Sequence, residues 1–241
     1  MNIYRTAVTQ FLDLVKLKGD LESVEAIFNI AKDGIHILTK TSNNVLALKG
    51  TLKGEFEAIG EVGIGDLGLF KGFVTSFDSD ELQLTKVKNK LVLSSAQEKL
   101  EIQANLTNPE YIKVKVPEDK FLALVKDSQG NEFTLTLDII KKIITYSSTI
   151  KASDIILTGE GNNLKLQLDE LDNKIVANFE LAETVKPFQI KFQASYLLNL
   201  LSNVKQEVKV SAYTNKFMYV KIENDAYLIE YMVAPIEIKE K

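Results

Sequence analysis

His36 is the one histidine of a 241-residue chain that contains no cysteine and no tryptophan. Thiol chemistry, thiolate metal sites and most imidazole acid–base catalysis are therefore excluded at the outset. His36 lies in an alternating stretch, Gly34-Ile35-His36-Ile37, with no serine or cysteine nucleophile motif beside it, and reads as structural. The acid pairs Asp78 with Asp80 and Glu118 with Asp119 fall in turn or linker contexts and read as solvated loops rather than paired catalytic carboxylates. The run Gly60 to Gly68 is rich in glycine but lacks the lysine of a phosphate-binding loop, so no nucleotide site and no cofactor or metal is assigned. What remains is electrostatic contact. The 29 basic and 33 acidic residues give a net charge of −4, so any nucleic-acid contact must use segregated charge rather than the whole surface.

The elements that position these residues are mostly strands. Glu81-Leu82-Gln83-Leu84, Leu91-Val92-Leu93, Leu100-Glu101-Ile102, Asn163 to Leu168 and Val208-Lys209-Val210 alternate apolar with polar. Four segments carry helical spacing instead. Val8, Phe11, Leu12 and Val15 form the first stripe, and Leu67, Phe70, Val74 and Phe77 the second, after Asp66 as N-cap. A third helix is expected after Asp138, with Ile140, Ile143 and Ile144, and a fourth after Ser195, with Leu197, Leu200, Leu201 and Val204.

Each half of the chain then reads helix, three strands, a further strand, helix and three closing strands. Glu81 to Lys99 resembles Glu207 to Asp225, and Asn89-Lys90 matches Asn215-Lys216 at a shift of 215 − 89 = 126 positions. Between the halves lie Pro109, Pro117 and the Asp127-Ser128-Gln129-Gly130 turn signal, with an alternating stretch from Tyr111 to Val116 expected to be extended and half-buried. The expected organisation is an N-terminal domain over 1–110, a connector over 111–130 and a C-terminal domain over 131–241. The first residues, which include Arg5, Asp13, Lys16 and Lys18, resemble neither a signal peptide nor a membrane anchor. No apolar run approaches the roughly 20 residues that span a bilayer. The expectation is a soluble protein of the cytoplasm.

Thr41-Ser42-Asn43-Asn44-Val45-Leu46-Ala47-Leu48 after Gly34 to Ile37, Ile64-Gly65-Asp66-Leu67-Gly68-Leu69-Phe70, and the terminal Tyr231-Met232-Val233-Ala234-Pro235-Ile236-Glu237 together resemble the DNA sliding clamp family. That family includes proliferating cell nuclear antigen and the T4-type phage clamps. The resemblance spans the whole chain. It implies an α+β clamp fold of two similar domains, each with two helices packed on antiparallel sheets, whose three copies close into a ring with helices lining the hole. The implied protein is a non-catalytic polymerase processivity factor. Its partners would be duplex DNA, bound without sequence preference, a DNA polymerase, a separate clamp loader ATPase and itself as a homotrimer, with no membrane contact.

Such a ring needs basic residues on its helices. In and beside the four helical segments lie Arg5, Lys16, Lys18, Lys71, Lys141, Lys142, Lys151 and Lys205. The resemblance also implies a client-peptide groove using Asn44, Val45, Ile112, Val114, Met232, Val233, Ala234, Pro235 and Ile236. Lys40 stands where the family often has a large apolar residue. The strand carrying Lys99, Leu100, Ile102 and Ala104 would leave unpaired backbone groups for a neighbouring chain, and the resemblance implies that Lys174, Ile175, Ala177 and Phe179 of the next copy pair with it. The alternatives are an open, non-ring viral processivity factor with the same duplicated fold and a non-catalytic β-rich structural protein of a virus.

Overall fold

A computed structural model of the chain describes residues 2–17, 22–41, 43–114, 116, 119, 121, 123, 131–213 and 217–236. They fall into two compact units. The first holds Met1–Leu17, Glu22–Glu118 and Glu223–Ile229, and the second holds Lys18–Leu21, Asp119–Ile222 and Glu230–Lys241.

In the first unit the order is β1 (Asn2–Tyr4), α1 (Arg5–Lys16), β2 (Ala26–Ala31), β3 (Gly34–Lys40), β4 (Leu46–Lys53), β5 (Gly60–Ile64), α2 (Leu67–Thr75), β6 (Glu81–Val87), β7 (Lys90–Ser95) and β8 (Leu100–Asn105). One sheet runs β1-β6-β7-β8 and another runs β5-β2-β3-β4, with antiparallel neighbours throughout. The alternation of β4 buries Leu46, Leu48, Gly50 and Leu52 on one side, as a half-covered sheet requires. Across that side lies α1, whose Val8, Phe11, Leu12 and Val15 are buried as their spacing predicts. A side chain at Gly50 would stand 3.1 Å from the Phe11 ring, so glycine lets helix and strand approach closely. Phe28 of β2 meets Phe70 of α2 edge-on at 5.8 Å.

The second unit contains β9 (Asn131–Leu135), α3 (Leu137–Ile150), β10 (Asp154–Glu170), β11 (Asn173–Gln193), α4 (Ala194–Leu201), β12 (Val208–Tyr213) and β13 (Phe217–Glu223); β14 (Tyr227–Val233) begins in the first unit and ends in the second. The starts of α4, β12, β13 and β14 each lie 127 positions after those of α2, β6, β7 and β8 (194 − 67, 208 − 81, 217 − 90 and 227 − 100). The duplication therefore extends over a helix and three strands. The pair Asn215-Lys216 lies outside the described residues.

The expected count of strands before the fourth helix is corrected. Where the first unit has four strands, the second has two long ones: Ile155 pairs with Phe192 as β2 pairs with β5, and Leu166 with Ala177 as β3 pairs with β4. Two register shifts, at Gly159/Gly161 and Gly161/Asn163, join the pairs into one bent hairpin. Gly161 has φ +62, and a side chain at Gly159 would stand 2.1 Å from the Phe188 ring, so both positions select glycine. Two helix starts are also corrected. Thr136, not Asp138, caps α3, its hydroxyl accepting from the Ile139 N–H at 3.4 Å, and Ile139 rather than Ile144 completes the buried stripe. Helix α4 begins at Ala194, with Ser195 inside it.

The second unit also contains a pH-sensitive tie. Glu183 of β11 accepts from the Thr134 hydroxyl at 2.6 Å and the Thr134 N–H at 3.2 Å, and the hydroxyl bond is the main reason its carboxyl titrates below the ordinary 4.5. A carboxylate held lower in the folded state contributes stability above its unfolded pKa and loses it as pH falls through the folded value. The urea midpoint is therefore expected to decline from about pH 5 downward. Glu183→Gln should make that decline shallower; an unchanged slope would show that other carboxylates set it.

Candidate nucleic-acid interface and partner surfaces

Helix α1 has no side-chain cap of its own at Tyr4. Its first turn is held by Asp80, whose carboxylate accepts from the Thr6 N–H at 2.8 Å and the Thr6 hydroxyl at 2.6 Å, which lowers its pKa. Asp80 is therefore the anion at the positive end of a helix, not a solvated loop acid. Arg5 belongs to the same junction: its guanidinium donates to the Phe77 carbonyl at 2.9 Å. As expected, Asp66 caps α2 by accepting from the Leu69 N–H at 2.8 Å, an arrangement worth about 1 kcal/mol.

The expected cations separate into two groups. In the first unit each is already engaged: Arg5 as above, Lys16 with Glu22 at 2.6 Å, and Lys71 with Asp13. In the second unit Asp138, Lys141, Lys142, Thr145, Ser148 and Thr149 form the exposed face of α3. Lys142 pairs with Asp138 at 2.7 Å one turn away, and that contact raises its pKa. Lys141, Lys151 and Lys205 are exposed and make no ion pair among the described residues. Lys151 ends α3 in the left-handed conformation, φ 53, where its charge also suits the helix C-terminus. Helix α4 carries no charge, and Lys18 lies outside the described residues. Of the expected cations, Lys141, Lys142 and Lys151 thus lie on or at the end of α3, and Lys205 follows α4.

The residues expected to meet a client peptide divide by burial. Asn44 is exposed at the tip of the β3–β4 hairpin with φ 58, and Val45 beside it is half-buried. The hairpin is fixed by Thr41, whose hydroxyl donates to Asn43 at 2.7 Å and accepts from the Leu46 N–H at 3.1 Å. The Lys40 ammonium folds onto the Asn44 side-chain oxygen at 2.7 Å, giving this end of the hairpin a polar surface. The carbonyl of half-buried Val114 accepts from the Lys40 N–H and the Thr39 hydroxyl, both at 3.3 Å, so this part of the connector runs along β3. Ile112, at 3% exposure, Met232 at 6% and Val233 at 0% fill cores instead of presenting a surface. Ala234, Pro235 and Ile236 are half-buried, with the Ile236 N–H donating to the Lys191 carbonyl at 2.9 Å.

The expected interface residues lie on strand edges. β8 is the last strand of its sheet, and the Asn173–Phe179 part of β11 is flanked only by β10 among the described strands. Leu100 and Ile102 are half-buried and Ala104 is buried on β8; on β11 Ile175 and Ala177 are half-buried and Phe179 is buried. Lys99 and Lys174 are exposed. His36 bonds Thr51 through Nδ1 and Asp33 through Nε2, both at 3.1 Å, stitching the β2–β3 turn to β4. No group of three or more potential metal ligands occurs among the described residues, and no helix is long and apolar enough to cross a membrane.

No protein-family model matches the chain, and no curated protein matches it. Solved structures do. The chain is similar to proliferating cellular nuclear antigen from Entamoeba histolytica, with a TM-score of 0.81, 17% identity and 98% of each chain covered. It is also similar to A. fulgidus PCNA bound by the C-terminal region of FEN-1, at 0.80 and 15%, covering 99% of this chain and 98% of that one. PCNA from Thermococcus kodakaraensis follows at 0.79 and 15%, covering 98% and 99%. The chain has the α+β fold of these clamps over nearly its whole length.

Proposed function

We propose that the chain is a sliding clamp, a non-catalytic processivity factor whose three copies close around duplex DNA and tether a polymerase. The observation that carries this reading is the pair of open strand edges, one in each unit of a duplicated chain with the clamp fold. An open edge in one half and a second in the other allow head-to-tail pairing that closes on itself. Lysines without base-reading groups suit a protein that holds phosphate and slides. Residence on DNA is topological, and tethering raises the local concentration of polymerase. A separate ATPase would open the ring, and the setting would be the cytoplasm, a phage-infected host included.

A client peptide is proposed because one neighbour of the same fold carries the C-terminal region of FEN-1. Asn44 and Val45 are the contacts offered by the first unit; Ala234, Pro235 and Ile236, considered by themselves, are those of the second. The test is solution mass across a concentration series, followed by retention on circular against linearised DNA. Subunits of 27.0 kDa predict 3 × 27.0 = 81 kDa and loss from DNA on linearisation. A mass that stays at 27.0 kDa or at 2 × 27.0 = 54 kDa would replace the ring by the open processivity factor.

A further inference from the structure

Among the described residues, Leu171 is the one strongly apolar side chain that the second unit holds almost entirely in water, at 94% exposure, and it does so in an unfavourable backbone conformation. The turn between β10 and β11 has two central residues, Leu171 and Asp172, between the paired Glu170 and Asn173. Leu171 has φ 51, the position of such a turn at which glycine fits best. A strained residue with an exposed isobutyl group is poor for the isolated chain, and such outliers point to a use outside it.

The first unit has a matching hollow. A cleft of about 350 Å³ lies between α2 and the end of β8, walled by Leu69, Phe70, Phe73, Ala104 and Thr107. Leu69 on its wall is 55% exposed. Pairing of the strand edges of two copies, as in the ring proposed above, would bring tip and cleft together. Placing the buried sides of both strands on one face sets Leu100, Ile102 and Ala104 opposite Phe179, Ala177 and Ile175. That register overlaps all of β8, sets Lys99 opposite Glu180 and continues past Asn105 toward Thr107, where the turn bearing Leu171 arrives. Sliding β11 by two residues, so that Glu101 faces Glu180, opposes like charges.

We propose that Leu171 of one copy seats in the cleft beside Leu69 of the next, a knob that fixes the register of the paired edges. This rests on the ring reading above. Because the chain has no cysteine, engineered pairs report on it directly. Mixed or doubly substituted protein carrying Leu69→Cys and Leu171→Cys should form disulfide-linked oligomers on mild oxidation, and Ile102→Cys with Ala177→Cys should do so independently of the knob. Cross-linking by the strand pair alone overturns the knob and leaves the ring standing. Cross-linking by neither, with a mass of 27.0 kDa, overturns both. Leu171→Gly separates the knob from mere strain: it relieves the backbone and should raise the melting temperature of the dilute monomer while weakening self-association roughly tenfold or more. Self-association unchanged in Leu171→Gly would overturn the proposal.

Discussion

Ala177→Asp is expected to reduce the assembly from 81 kDa (3 × 27.0) to 27.0-kDa subunits and to abolish retention on circular DNA. Ala177 is a half-buried residue on the β11 edge, on the same side as Ile175 and buried Phe179. In the proposed register it faces Ile102 of the next copy. A carboxylate there meets an apolar partner and loses water with no cation in compensation. Such a burial costs on the order of 3 kcal/mol per interface, about a hundredfold in dissociation constant, and a ring carries the substitution at every joint. Within the subunit Ala177 pairs with Leu166 of β10, so folding is checked separately by circular dichroism and a melting curve. A folded Ala177→Asp protein that keeps the mass of the trimer would remove this edge from the interface.

The fold was legible wherever its determinants are local. The stripe of α1, that of α2 up to Val74, the Asp66 cap and the 126-position echo all depend on residues within a turn or a hairpin of one another, whereas Phe77 and Val204 lie beyond the ends of α2 and α4; the structure carries the echo over a helix and three strands at 127. Thr136 and Asp138 are both capping residue types two positions apart, so sequence periodicity could not choose between them. The long β10–β11 hairpin was missed because its continuity depends on the bulges around Gly159 and Gly161, which signal a turn as readily as a bend.

The candidate site was legible as residue types but not as pairings. Asp80 reads as a loop acid until Thr6 is brought to it from 74 positions away, and Lys71 reads as available until Asp13 arrives from 58. Met232 and Val233 carry the pattern of the terminal strand, but alternation does not say that both faces of β14 are covered there. The candidate cations could be named from the sequence; which of them already have partners, as Arg5, Lys16 and Lys71 do, required the structure.

The exposed lysines of α3 make the combined reversal Lys141→Glu with Lys142→Glu the direct test of the proposed DNA contact. Both side chains lie on the exposed face of α3 with Thr145, Ser148 and Thr149. The 2.7 Å pair between Lys142 and Asp138 does not remove Lys142 from use, because an exposed pair one turn apart contributes only about 0.3–0.5 kcal/mol and a phosphate can replace the carboxylate. Reversal removes up to two phosphate contacts and adds two repulsions in each subunit, while the buried Ile139, Ile140 and Ile143 that anchor the helix are untouched. The expected result is processive synthesis shortened roughly tenfold at moderate salt, with a shallower dependence on salt because fewer counterions are released, and a solution mass still at 81 kDa (3 × 27.0). The double reversal Lys86→Glu with Lys88→Glu, at the β6–β7 turn and on no helix, changes the charge by the same amount, serves as the charge control and should leave product length unchanged. Equal losses from the turn variant and the helix variant would mean that net charge governs the interaction. Full-length products from the helix variant would take α3 off the path of the duplex and leave Lys151 and Lys205 as the cations to test.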